Sequence, residues 1–194
     1  MRLSFLMRFL LFVFCLLPLT ACTPSVGGTP FAYAEASFSL SVEGTYLPAN
    51  DPHGTPRPFS AEIAVGAPHG GDPTLRGLTL TCTSPPSLAG VTVTADYSPT
   101  PDGNLVRRIE FAYSSDYGTV HATIEGSAAG FLRFAEGWLP FGDITDVSPK
   151  APDGSYTVTR QSANREAVFT FDGGNLPTGV TISDAGGCVV MKAK

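Results

Sequence analysis

Apolar and polar residues alternate from Ala36 onward: Ala36, Phe38, Leu40, Val42 and Tyr46 interleave with Ser37, Ser39, Ser41, Glu43 and Thr45. Successive strand side chains point to opposite faces, so this period of two predicts a strand with one dry and one wet face. The pattern recurs at Ala61, Ile63 and Val65, at Leu78 and Leu80, and at Val91, Val93, Ala95 and Tyr97. It continues at Ile109, Phe111 and Tyr113 and at Val120, Ala122 and Ile124. Near the C-terminus it returns at Tyr156 and Val158, at Ala167, Phe169 and Phe171, at Val180 and Ile182, and from Cys188 to Ala193. About ten strands are expected, with one dry face between them.

Clusters of Gly, Pro, Asn and Asp separate these segments, among them 48–58, 68–73, 84–86, 99–104, 116–118, 172–175 and 184–187. Such residues favour turns, and strands joined by short turns run antiparallel. The runs at 52–58 and 69–73 read as rim loops. The rhythm changes once, between Ser127 and Leu139, where Phe131, Ala135 and Trp138 fall at helical spacing, as do Leu132 and Leu139. One short helix is expected there, ended by Pro140, with a looser connector from Phe141 to Asp153.

Ten strands side by side span about 48 Å at ~4.8 Å each, whereas a helix is only about 10–12 Å across. One helix cannot cover the dry face of such a sheet. The expected fold is therefore mainly β, a curved antiparallel sheet in the form of a half-barrel or barrel, whose hollow takes something apolar. A packed sandwich is the alternative. Residues expected to line the concave face are Phe38, Leu40, Val42, Ile63, Leu80, Val93, Ile109, Phe111, Phe131, Trp138 and Phe169.

The N-terminus changes the picture of where this domain sits. Arg2 and Arg8 precede an unbroken apolar run from Phe9 to Leu17, then Pro18 and Leu19-Thr20-Ala21-Cys22. That run is well short of the about 20 residues a membrane span needs. A basic start, an apolar stretch and small residues before a cut site make a secretory signal. The small-small-Cys ending resembles a bacterial lipobox, which implies cleavage before Cys22 and its modification with diacylglycerol and palmitate-like acyl chains. The expected organisation is a signal peptide at 1–21, a lipidated tether at 22–30 and a single β domain at 31–194. It places the protein outside the cytoplasm, anchored to the cell membrane through Cys22, as a monomer.

Arg2 and Arg8 leave with the signal, which takes the formal net charge from −5 to −7. An acidic surface argues against nucleic acid and against an electrostatic grip on anionic lipid. Cys15 is cut away and Cys22 is acylated, so Cys82 and Cys188 remain. In an exported protein these two either bridge or stay as small buried thiols.

Catalytic patterns are missing from the sequence: it has no Gly-x-Ser-x-Gly elbow, Ser-x-x-Lys, His-Glu-x-x-His or phosphate-cradling glycine loop. His53 and His69 stand in Pro/Gly-rich runs, and His121 on a wet strand face, with no metal-ligand spacing around them. Asp143 and Asp146 are near each other but lack the spacing of a calcium loop. No enzyme, cofactor or metal is expected.

The stretch Leu78-Thr79-Leu80-Thr81-Cys82-Thr83-Ser84-Pro85-Pro86-Ser87-Leu88-Ala89-Gly90-Val91-Thr92-Val93 runs from a strand through a Ser-Pro turn and Leu-x-Gly into another strand. Together with the lipobox and the long opening strand, it resembles the LolA/LolB-type lipoprotein-carrier superfamily across about residues 31–193. The resemblance implies a curved half-barrel closed by helices, with an apolar cavity for acyl chains. Lipid anchoring is similar to the receptor-like member rather than the soluble shuttle. On this reading the protein binds a lipid, an acyl chain or a lipoprotein; the alternative is a packed interaction protein without an internal ligand.

Overall fold

A computed structural model describes residues 29–69, 72–100, 103–115, 118–124, 134–135 and 137–194. The signal and lipobox lie outside these residues. The chain enters through a 3-10 turn at Ala32–Glu35 and then forms strands β1 (Phe38–Pro48), β2 (Arg57–His69), β3 (Asp72–Ser84) and β4 (Val91–Thr100). They are followed by β5 (Gly103–Ser115), β6 (Gly118–Ile124), β7 (Asp143–Val147) and β8 (Tyr156–Ser162). The last three are β9 (Arg165–Phe171), β10 (Pro177–Asp184) and β11 (Gly187–Ala193). Every pairing between them is antiparallel.

All eleven strands belong to one curved sheet in the order β6-β5-β4-β3-β2-β1-β11-β10-β9-β8-β7. Among the described residues there is no second sheet to make a sandwich, and no barrel closes, since β6 and β7 form the two edges. The alternation seen in the sequence sets the register. Leu40, Ile63, Leu80 and Val93 lie across from one another on four adjacent strands, and Val180 pairs with both Phe169 and Met191. Of these, Ile63, Leu80, Val93, Phe169, Val180 and Met191 are at most 2% exposed. Their shared face is the core.

The two edge strands, β6 and β7, are consecutive in sequence and are joined by residues 125–142. Of that segment's described side chains, Phe134, Ala135, Trp138, Leu139 and Phe141 are buried in the core cluster, and Pro140 is half-buried. They form a strap: Phe134 packs on Tyr46 and Phe59 of β1 and β2, and Phe141 lies under the Arg165 guanidinium, 4.6 Å from it. The helix expected over 127–139 falls mostly outside the described residues; Phe134 and Ala135 are helical.

The entry segment is the second cover. Phe31 meets Phe169 and Phe171 edge-on at 4.8 and 5.2 Å. Arg160 of β8 joins the two covers: its guanidinium lies 4.9 Å from the Phe31 ring centre and donates to the carbonyls of Phe141 and Gly142. Burial pulls the Arg160 pKa down, with Asp143 and Tyr33 opposing. Tyr33 donates its hydroxyl to the Trp138 carbonyl, so strap and entry segment also touch directly.

Two expectations need correction. Residues 141–153 were expected to be a connector, but they contain β7, whose five residues are all exposed. A strand wet on both faces has no apolar alternation to reveal it. The sequence places His69 in a loop, yet it ends β2 and pairs with Asp72 at the start of β3.

Candidate functional site

The site is built where small residues coincide on neighbouring strands. Gly44 of β1 pairs with Phe59 of β2, while Val42 pairs with Ala61 and Ala61 with Cys82. One row further along, the same face carries Leu40, Ile63 and Leu80. The core thus shrinks from leucine-sized to alanine-sized side chains toward one end of β1, β2 and β3. Close packing normally removes such a deficit; here it leaves a cavity of about 300 Å³.

Ala61, Leu80 and Cys82 form its floor, each buried. Tyr46, Phe59 and Phe134 wall one side. The Phe59 and Phe134 rings lie 4.5 Å apart, and the Phe134 and Tyr46 rings 5.8 Å apart at 81°. The Tyr46 hydroxyl donates to the Gly186 carbonyl at 2.9 Å, which holds its ring in place.

Pro85 and Leu88 wall the other side. Their turn is held by bonds from Leu88 N to Pro85 O and from Gly90 N to Cys82 O, with Gly90 at a φ of 84° that suits glycine. The Ser-Pro-Pro turn noted in the sequence therefore shapes the pocket. Arg57 and Pro58, both exposed, stand at the rim.

Most of this surface is apolar, and its one thiol is not activated. Burial pushes the Cys82 thiol up, away from the thiolate form that reacts. Cys82 and Cys188 are both free. Cys82 shares the inner face with Ala61, whereas Cys188 pairs with Leu47 and neighbours the inward Val189, so it faces outward. Three strand spacings of about 4.8 Å separate them, too far for a bridge, which needs Cα atoms within about 7 Å. The bridge weighed from sequence does not form.

The residues expected to line a concave hollow are distributed as follows. Leu80 lines the pocket. Val42, Ile63, Val93, Trp138 and Phe169 belong to the buried cluster, with Phe38 and Leu40 partly buried against it. Ile109 and Phe111 pair on β5 with Ala95 and Val93, but their side chains lie outside the described ones, as does the whole of Phe131. Phe59, Leu88 and Phe134 were missed. Phe59 follows a Pro/Gly-rich run that hides its strand, and Leu88 and Phe134 lie outside any alternating segment.

Other hollows are more open. One beside Thr29, Pro140, Ile144 and Arg160 measures about 430 Å³. Another, of about 530 Å³, lies along Ser39, Ala64, Gly77 and Thr79 on the outer face. Among the described residues no group of three His, Cys, Asp or Glu side chains could hold a metal. His53 sits in the β1–β2 connection, and Asp143 and Asp146 are exposed on β7.

No family model matches the sequence, and no curated protein matches it. Among solved structures, the chain is similar to a DUF1329 family protein from Desulfovibrio piger, at 10% identity and a TM-score of 0.47, over 82% of this chain and 84% of that one. It is also similar to an outer membrane lipoprotein-sorting protein domain from Vibrio parahaemolyticus, at 8% identity and a TM-score of 0.44, with the same two coverages.

Proposed function

We propose that this protein is an exported, non-catalytic lipoprotein that binds an apolar ligand in the pocket walled by Phe59, Leu88 and Phe134. The observation that carries the reading is the pocket itself. Its volume, about 300 Å³, is at the lower end of the about 300–1,000 Å³ usual for small-molecule sites. At ~30 Å³ for a water in the liquid, it matches on the order of ten waters, or a chain of similar methylene count. The walls offer ring faces and aliphatic carbon, and among the described lining residues no nucleophile and base stand together.

On the same reading Cys22 carries the acyl chains, residues 1–21 are removed and 22–30 are the tether. Each buried CH₂ contributes about 0.8 kcal/mol, and one chain alone anchors only marginally, so two or more are needed. From residue 22 to residue 29 the chain reaches at most about 25 Å. The pocket is then held close to the lipid surface, on the side away from the cytoplasm, in a monomer that needs neither cofactor nor nucleic acid.

Native mass spectrometry of the chain from residue 22 onward, with Cys22→Ser, tests the pocket, since every described contact lies within residues 29–194. A co-purifying amphiphile lost in the pocket-filling Ala61→Phe variant is expected; repeated absence of any ligand overturns the reading. Incorporation of labelled fatty acid into the whole chain, abolished by Cys22→Ala, tests the anchor. A second reading, an interaction protein binding along an edge, draws on β7, where Ile144 and Val147 are 48% and 52% exposed. Ligand-free protein that captures a partner only when β7 is intact would favour it.

A further inference from the structure

We infer that the pocket selects single-chain amphiphiles with an anionic head, and that Arg57 receives that head. This inference rests on the apolar-ligand reading above and makes it specific. Of the described residues that line the pocket, Arg57 alone carries a charge and none is a carboxylate. Among the described residues Arg57 has no ion-pair partner. Its place is fixed by the fold, because it opens β2 and pairs with Tyr46, another wall residue.

The arrangement has a polarity. Ala61, Leu80 and Cys82 make a buried, uncharged floor, while Arg57 stands exposed at the rim. A neutral hydrocarbon would use the floor and leave the guanidinium unmatched. A cationic amphiphile would set like charges together at the mouth. An anionic head can accept the guanidinium's paired N–H groups while its tail runs inward, and a carboxylate and a phosphate monoester both fit this fork. The volume admits one chain of about ten carbons rather than two. The overall acidity of the protein, −7 once the signal is removed, opposes anions in general, so any preference for them must come from this local cation.

The test is titration calorimetry of the chain from residue 22 onward (Cys22→Ser) with decanoate, decyl phosphate, decanol and decyltrimethylammonium. It is run below their micellar concentrations at neutral pH. The expected result is that one or both anions bind about five- to tenfold more tightly than decanol, the scale of a rim charge-assisted bond. Arg57→Gln should remove that preference and leave decanol within twofold, and Arg57→Lys should keep part of it. Raising the salt should narrow the gap. Tighter binding of decanoate points to a free fatty acid, and of decyl phosphate to a lysolipid; either supports the inference. Decanol or the ammonium compound binding as tightly as the anions, or Arg57→Gln weakening decanol equally, overturns the role of Arg57 and leaves the apolar pocket standing. Failure of all four to bind overturns the pocket reading itself.

Discussion

Phe59 of β2 and Phe134 of the strap meet with ring centres 4.5 Å apart and planes tilted by 37°. They come from opposite ends of a long excursion of the chain, and their contact decides whether the pocket has a wall. Truncating Phe134 to alanine should cost about 3–5 kcal/mol, the range for removing a buried aromatic. A urea titration would measure it. The same variant should accept bulkier apolar probes than the parent, because its wall is gone. Unchanged stability would mean that the strap does not rest on β1 and β2.

Gly44 gives Phe59 its space. A Cβ at that position would collide with the backbone carbonyl oxygen of Val190 on β11 and lie 2.9 Å from the Phe59 ring, closer than real contacts allow. Gly44→Ala should therefore destabilise by roughly 1–3 kcal/mol, as overpacking does. It should also shift near-ultraviolet circular dichroism from the aromatic cluster. A neutral or stabilising substitution would show that both the β11 backbone at Val190 and the Phe59 ring can give way.

Arg160 fastens both covers at once, through the Phe31 ring and the carbonyls of Phe141 and Gly142. Replacing it with methionine should cost roughly 2–4 kcal/mol, since charge-assisted bonds are lost and two carbonyls are left to find water. Lysine should not restore it, because an ammonium lacks the planar fork that meets two acceptors together. Thermal unfolding of the two variants checks this: equal losses are expected, and full recovery by lysine would contradict the geometry.

Tyr33 supplies a test by pH. Burial raises its phenol, the Tyr97 phenol adds to the rise, and Arg160 partly offsets it. A raised pKa in the folded state means stability is fully present below the ordinary phenol value of 10.0 and falls as pH climbs above it. Tyr33→Phe should flatten that alkaline decline. At neutral pH it should cost about 1 kcal/mol for the bond to the Trp138 carbonyl. A parent protein as stable at pH 11 as at pH 8 would refute the assignment.

The two thiols should differ sharply. Cys82 is buried in the pocket floor and Cys188 is half-buried on the outer face. In the chain from residue 22 onward, with Cys22→Ser, a thiol reagent should react first at Cys188. Cys82 should follow slowly, and more slowly still with decanoate present. Equal rates would argue against an enclosed floor.

Ten of the eleven strands were legible because the sheet buries one face, and a buried face prints its period on the sequence. β7 left no such print, since Ile144 and Val147 are exposed. The expected width of the sheet against its sparse helical cover gave the curvature. What carries the pocket was harder to see. Gly44, Ala61 and Cys82 are unremarkable in their own segments, and only cross-strand register places the two latter side by side. Phe134 reaches them because β6 and β7 occupy opposite edges, a fact of pairing that no local pattern records.

The order of strands has a further consequence. β1 and β11 lie side by side at the middle of the sheet, and Lys194 at the chain end reaches back to Ser41 and Glu43 of β1. β1, made early, thus waits for β11, made much later. Until β11 is made, the two halves share no hydrogen-bonded seam, and a chain that stops before Gly187 lacks the strand that joins them. Linking the ends and opening the chain within 125–142 would yield an uninterrupted zigzag of eleven neighbours, identical in pairing but without its strap. Comparing that rearranged protein with the parent would separate what the sheet contributes from what the crossing adds.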